Sequence, residues 1–130
     1  MCLKNGNRIV VSGEDCADVY GNKGMLLQIF INLTVNANRH TKNGTITIGA
    51  SGTESKEYIV FRVADTGDGI DEELLPHVFD KGYSGDGGSG LGLAICREAV
   101  EALGGMLDVE RTGPEGTVFA FTVLRKEMGP

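Results

Sequence analysis

Cysteine is scarce in this chain and follows no pattern. Cys2, Cys16 and Cys96 form an odd set with no CxxC pair, which argues against a disulfide framework or a thiolate zinc site and fits a reducing compartment. A basic excess is also missing: 12 Lys and Arg stand against 18 Asp and Glu, a formal net charge of −6. Nucleic-acid binders carry a basic patch, and anionic lipid attracts cationic surfaces, so no nucleic acid and no direct membrane contact are expected. No apolar run reaches the length of a bilayer span, and the N-terminus lacks the plan of a signal peptide. A nucleotide is anionic as well, so a nucleotide site in such a chain must rely on local dipoles or a metal.

What is present fits one domain over 1–130. The 130 residues are 41% hydrophobic and 23% charged, enough for a real core. Glycine is the unusual count at 20, and many of these residues cluster in "DTGDGI" and "GYSGDGGSGLGL". Clustering of that kind marks a demand on the backbone at two places.

Periodicity and turn signals predict the order β-α-β-β-loop-α-β-β. Residues 8–12 read as a strand, 22–40 as a helix, and 44–51 and 57–65 as alternating strands joined at the tip "ESK". Residues 72–80 read as one short helical turn limited by Pro76, and 81–89 as a mobile glycine-rich stretch. A helix over 90–103 ends at Gly104-Gly105. Strands follow at 105–111 and 116–124, with a frayed tail beyond. Hairpins dominate, so the expected class is α+β: a two-layer α/β sandwich with a mixed, mostly antiparallel sheet covered on one face by helices.

The first helix carries a pattern that needs explaining. Leu26, Phe30, Leu33 and Ala37 form an apolar stripe, and Leu27, Ile31 and Val35 continue it round a second side, so the helix reads as buried on most sides. Gln28, Asn32, Asn36 and Arg39 interrupt that surface as a polar row. An interior Asn costs roughly several tenths of a kcal/mol relative to Leu, so two in register need compensation. Either they hydrogen-bond neighbouring loops, or a ligand lies along this face. An amide oxygen suits a hard cation, and Arg39 suits phosphate.

The glycine loops leave similar alternatives. In "VADTGDGI", Asp65 ends a strand ahead of Gly67 and Gly69. It is either the capping Asp of a simple turn or an acceptor for an exocyclic amine, with glycines that let a flat ligand approach. "GGSGLGLAI" puts Gly88, Gly90 and Gly92 where a loop becomes a helix, a place that favours an anion. No strand leads into this loop as in a Rossmann unit, and the Lys-Ser ending of a Walker A loop is absent.

Taken together, these segments resemble the ATP-binding catalytic domain of sensor histidine kinases, within the Bergerat-fold (GHKL) superfamily of gyrase, mismatch-repair and chaperone ATPases. "QIFINLTVNANRH" resembles the N box, "DTGDGI" the G1 box, "VFDKGY" the F box and "GGSGLGLAI" the G2 box, in order, across a core of about 9–124. The resemblance implies ATP and Mg2+ as ligands. It implies that Asp65 binds the adenine amino group, that Gly67, Gly69 and Ile70 shape the pocket with Thr117 nearby, and that Asn36 coordinates Mg2+. Asn32 would line the same site, and Arg39 and His40 would contact phosphate or ribose. Gly88, Gly90, Leu91, Gly92 and Leu93 would bind nucleotide at the start of the second helix. Residues 78–90 would be a lid anchored by Phe79, with Lys81 and Tyr83 as contacts, whereas His77 reads as a surface residue.

The hydrolytic members of the superfamily resemble one another in carrying Glu at the position of Asn32. Asn cannot take a proton from water, so this chain is expected to transfer phosphate or bind nucleotide more than hydrolyse it. The implied partners are an upstream dimerisation and phosphoacceptor helical hairpin and, indirectly, a response regulator. Neither His40 nor His77 sits in an acceptor-like setting, so the chain reads as part of a longer, often membrane-anchored sensor, on its cytoplasmic side. The alternative is a regulatory or pseudokinase module of the same fold that binds nucleotide without transferring phosphate.

Overall fold

The computed structural model describes residues 6–13, 23–52, 58–80 and 92–124. The elements are β1 (Arg8–Gly13), α1 (Lys23–Arg39), β2 (Thr45–Gly52), β3 (Tyr58–Asp65), a 3-10 turn (Leu75–His77), α2 (Gly92–Ala102), β4 (Leu107–Gly113) and β5 (Gly116–Leu124). The expected hairpin tip "ESK", the glycine-rich stretch 81–89 and the tail lie outside the described residues.

The five strands form one sheet in the order β1-β2-β3-β5-β4. The pair β1/β2, joined through α1, is parallel, and the other three pairs are antiparallel. A parallel pair needs a crossover, and the amphipathic α1 supplies it. Strand alternation sends Ile46, Val63, Phe119, Phe121 and Val123 to one face, where they pack against Ile29, Leu33 and Ala37 of α1 and Leu93, Cys96 and Val100 of α2. Phe30, Phe61 and Phe121 meet with ring centroids 5.3 Å apart, which anchors α1 over the middle of the sheet. The expected α+β class and two-layer sandwich are what the chain forms.

Three local expectations need correction. Helix α1 is not buried on most sides: Leu27, Ile31 and Val35 are 60%, 46% and 47% exposed. Among the described residues only the side of α1 toward the sheet and α2 is covered, and Ile29 belongs to the core. Pro76 does not limit the short turn but sits inside it, in the first turn, where its missing N–H costs nothing. The last hairpin starts two residues late, because Gly104 (φ +84°) and the Gly105 N–H bond to the Val100 carbonyl first complete the end of α2.

One residue ahead of the expected first strand ties three elements together. Asn7 is fully buried, and its Nδ2 donates to the Asn38 side-chain oxygen (2.8 Å) and the Thr41 carbonyl (2.7 Å). Its Oδ1 accepts the Gly44 N–H (2.9 Å). The end of α1 is thereby fixed to the starts of β1 and β2, which sets where His40 and Asn36 lie.

Candidate functional site

The site begins with a carboxylate on the core face of the sheet. Asp65 is the last residue of β3, and alternation from Ile59 and Val63 turns it inward, leaving it 9% exposed. Its Oδ1 accepts the Gly67 N–H at 2.9 Å and the Thr117 N–H at 3.2 Å. No described residue donates to Oδ2. Thr41 Oγ1 is the one buried side-chain polar atom without a partner among the described residues, so Asp65 Oδ2 reaches solvent. Burial pushes the Asp65 carboxyl above the usual 3.8, while the Gly67 and Thr117 N–H groups and the nearby His40 pull it back.

The cleft above Asp65 is partly open to solvent and as it stands has free room of about 10 Å³, the space of one water. Ile70, Val78, Leu93 and Phe119 form its apolar walls, Asn36, His40, Asp65 and Thr117 its polar groups, and Gly69 completes the lining. Few polar groups converging in an apolar slot is the usual make-up of a ligand site.

The two glycines of "DTGDGI" serve different needs. Gly69 has φ +86°, and a Cβ there would lie 2.3 Å from the Gly113 carbonyl oxygen. Gly67 has no positive φ, and its Cβ would meet the His40 carbonyl oxygen at 2.1 Å. The close approach at Gly67 is therefore by the protein's own backbone, which locks this loop against the end of α1.

The amides of α1 also divide. Asn32 Oδ1 accepts from Gln28 Nε2 at 3.0 Å, and its side chain contacts the Cys96 thiol. Burial pushes that thiol up to about 11, with the Asn32 contact acting the other way. Asn36, one turn on, lines the cleft with its amide unpaired among the described residues. Arg39 is exposed on the last turn of α1 and does not line the cleft. Gly92 opens α2, where a Cβ would meet nothing within 4 Å. Lys81, Tyr83, Gly88, Gly90 and Leu91 lie outside the described residues.

Phe79 packs edge-on against Phe119, with centroids 6.1 Å apart, beneath the Arg97 guanidinium 4.5 Å from its ring centre. It anchors the segment beside the cleft, while exposed His77 pairs with Asp80 at 2.9 Å. Sequence reasoning missed Val78 and Phe119 as cleft walls. The signal for Phe119 was the strict alternation of β5 with Thr117; Val78 had only its place beside Phe79.

The family described as histidine kinase-, DNA gyrase B- and HSP90-like ATPase matches residues 21–127. Among curated proteins, the sensor protein KdpD of Clostridium acetobutylicum is 35% identical over 95% of this chain, and the sensor histidine kinase YclK of Bacillus subtilis is 31% identical over 87%. The chain spans 14% and 25% of their respective lengths. Among solved structures, full-length ShkA in complex with AMPPNP is 29% identical with a TM-score of 0.84, covering 98% of this chain and 27% of that one. The nucleotide-free catalytic domain of histidine kinase ThkA is 28% identical with a TM-score of 0.81, covering 94% of this chain and 81% of that one.

Proposed function

Because the chain belongs to the family of histidine kinase-, DNA gyrase B- and HSP90-like ATPases, we propose that its Asp65 cleft holds the adenine of Mg-ATP. From there the γ-phosphoryl group is passed to a histidine on a separate dimerisation and phosphoacceptor hairpin. The observation that carries this reading is the divided role of Asp65. Its Oδ1 is committed to two backbone N–H groups, no described residue donates to Oδ2, and the residue lines a cleft with apolar walls. An ionised oxygen in that position accepts from an exocyclic amine and repels the carbonyl that guanine would present.

The rest of the nucleotide follows from the same placement. Asn36 offers a neutral oxygen beside the cleft, which suits Mg2+, an ion that keeps several waters and phosphate oxygens. Among the described residues no group of three His, Cys, Asp or Glu side chains could hold a metal alone, so the ion would enter with the triphosphate. Leu93 in the first turn of α2 lines the cleft, which brings the positive end of that helix toward the phosphates. Gly88, Gly90, Leu91 and Gly92 would act there, with Lys81 and Tyr83 on the lid. Asn32 contributes no base, so water is a poor acceptor and a positioned histidine the intended one.

The curated relatives are longer sensor proteins, which supports reading the chain as one domain of such a sensor over 1–130, with its core at about 9–124. It works in the cytoplasm within such a sensor, and reaches a response regulator through the phosphohistidine. No helix among the described residues is long and apolar enough to cross a membrane.

Calorimetric titration with ATP and GTP tests the adenine assignment. ATP should bind more tightly than GTP, and Asp65→Asn should weaken ATP by about tenfold or more, the scale of one hydrogen bond to a charged group. Equal ATP affinity in the variant would refute it.

A further inference from the structure

A β-bulge places a second threonine behind the cleft. Val109 faces Phe119 across the last hairpin, but Arg111 faces Val118 and Thr112 faces Thr117, so Glu110 is the extra residue. Without it, alternation would turn Thr112 to the open face of the sheet. Bulges re-aim side chains in this way beside functional sites. On the open face, Glu110 is held by Arg62, whose Nε lies 2.7 and 2.8 Å from its two carboxylate oxygens.

Thr112 Oγ1 accepts the Ile70 N–H at 2.8 Å and lies 2.8 Å from Thr117 Oγ1. A hydroxyl has one hydrogen to give. The Thr112 hydrogen has no acceptor among the described residues except Thr117 Oγ1. Either hydroxyl can donate in that pair: in one order the Ile70 N–H donates to Thr112 and the Thr112 O–H to Thr117, and in the other Thr112 accepts both and, being half-exposed, gives its own hydrogen to solvent. In the first order the hydrogen of Thr117 is left over, and Thr117 lines the cleft beside Asp65.

We propose that Thr112 is a positioning residue that sets Thr117 as a hydrogen-bond donor to the base, so that the cleft offers an acceptor at Asp65 beside a donor at Thr117. This rests on the adenine reading of the cleft. Adenine presents the matching edge, an amine beside a bare ring nitrogen. Guanine presents a carbonyl beside a ring N–H and is mismatched at both places. Thr112 thereby adds to the base discrimination that Asp65 alone would give, without lining the cleft itself. It also fixes the G1 loop through the Ile70 N–H.

The test compares the wild-type chain, Thr112→Val and Thr112→Ser by calorimetry with ATP, GTP, inorganic tripolyphosphate, and an ATP analogue carrying C–H in place of the ring nitrogen beside the amine. Thermal melts run alongside. The wild type should bind the analogue about three- to tenfold more weakly than ATP, the scale of one neutral hydrogen bond. Thr112→Val should weaken ATP by a similar factor, leave tripolyphosphate unchanged and show little further loss with the analogue. Thr112→Ser should stay close to wild type. Wild-type binding of analogue and ATP with equal affinity would overturn the proposal, with no variant needed. So would a Thr112→Val effect equal for ATP and tripolyphosphate, which marks general damage to the fold. Absence of ATP binding, or of any preference over GTP, in the wild type would remove the adenine reading itself.

Discussion

A carboxylate buried at the end of a strand is costly to keep charged, and Asp65 keeps part of that cost in the folded protein. Its carboxyl is held above 3.8 chiefly by burial, against two N–H bonds and His40. The folded chain thus binds this proton more readily than the unfolded chain does. The site's penalty on stability is fully present above the raised value and relieved as pH falls through it toward 3.8. Ligand binding runs the other way, because only the ionised oxygen both accepts from the amine and repels a carbonyl. ATP affinity should decline on acidification with a midpoint above 3.8, and that step should be missing in Asp65→Asn. The same variant should melt at the wild-type temperature or higher at neutral pH. Calorimetry across pH, with melts, checks both, and a variant that keeps the acid step would place the titrating group elsewhere. Asn36 carries the companion prediction: Asn36→Ala should make nucleotide affinity nearly independent of Mg2+, measured with and without EDTA. Full Mg2+ dependence in the variant would assign the ion to another residue. At this scale the sequence was legible where chemistry sits in short spacings: the four-residue step from Asn32 to Asn36, and Asp65 ahead of its two glycines. It was silent on how the amides divide, because Gln28 capturing Asn32 and Cys96 touching it depend on rotamers and on α2.

Among the elements, the limits lay in long-range pairing. The succession of elements and the hairpins followed from alternation and turns, and the boundaries moved by a residue or two, whereas the sheet order, with β5 beside β3, came only from the structure. The bulge at Glu110 did not follow, since nothing in "DVERTG" tells which residue will be extra until β5 is laid beside it. Nor did the outer face of α1: Leu27, Ile31 and Val35 have the spacing of a buried stripe, yet among the described residues they are exposed. Asn7 is the plainest case. It looks like a loop residue before a strand, yet it joins β1, α1 and β2 through buried hydrogen bonds. Its removal leaves the Gly44 N–H and the Thr41 carbonyl without it in a closed site. Asn7→Ala should lower the unfolding free energy by about 2–3 kcal/mol, the cost of leaving buried polar groups unpaired. Urea denaturation measures it, and a loss below about 0.5 kcal/mol would mean that the junction is held by other contacts.

At the scale of the whole molecule, one sheet with helices on a single face sets the nucleotide cleft between the strand ends and the inner sides of α1 and α2. Three of its apolar walls, Val78, Leu93 of α2 and Phe119 of β5, are core residues, so the cleft is shaped by the same packing that holds the domain together. In the proposed reading Asn32 takes the place of a hydrolytic relative's base, and neither His40, near Asp65, nor exposed His77 is the phosphate acceptor. The isolated chain should bind Mg-ATP, hydrolyse it slowly and fail to label itself. The most direct measurement is incubation with γ-labelled ATP, alone and with the phosphoacceptor hairpin of the proposed parent sensor added in trans, followed by mass spectrometry of the labelled residue. The prediction is no label alone, and label on the hairpin's histidine when it is supplied. Rapid labelling of the isolated chain at His40 or His77, or no label on the hairpin despite tight ATP binding, would contradict it.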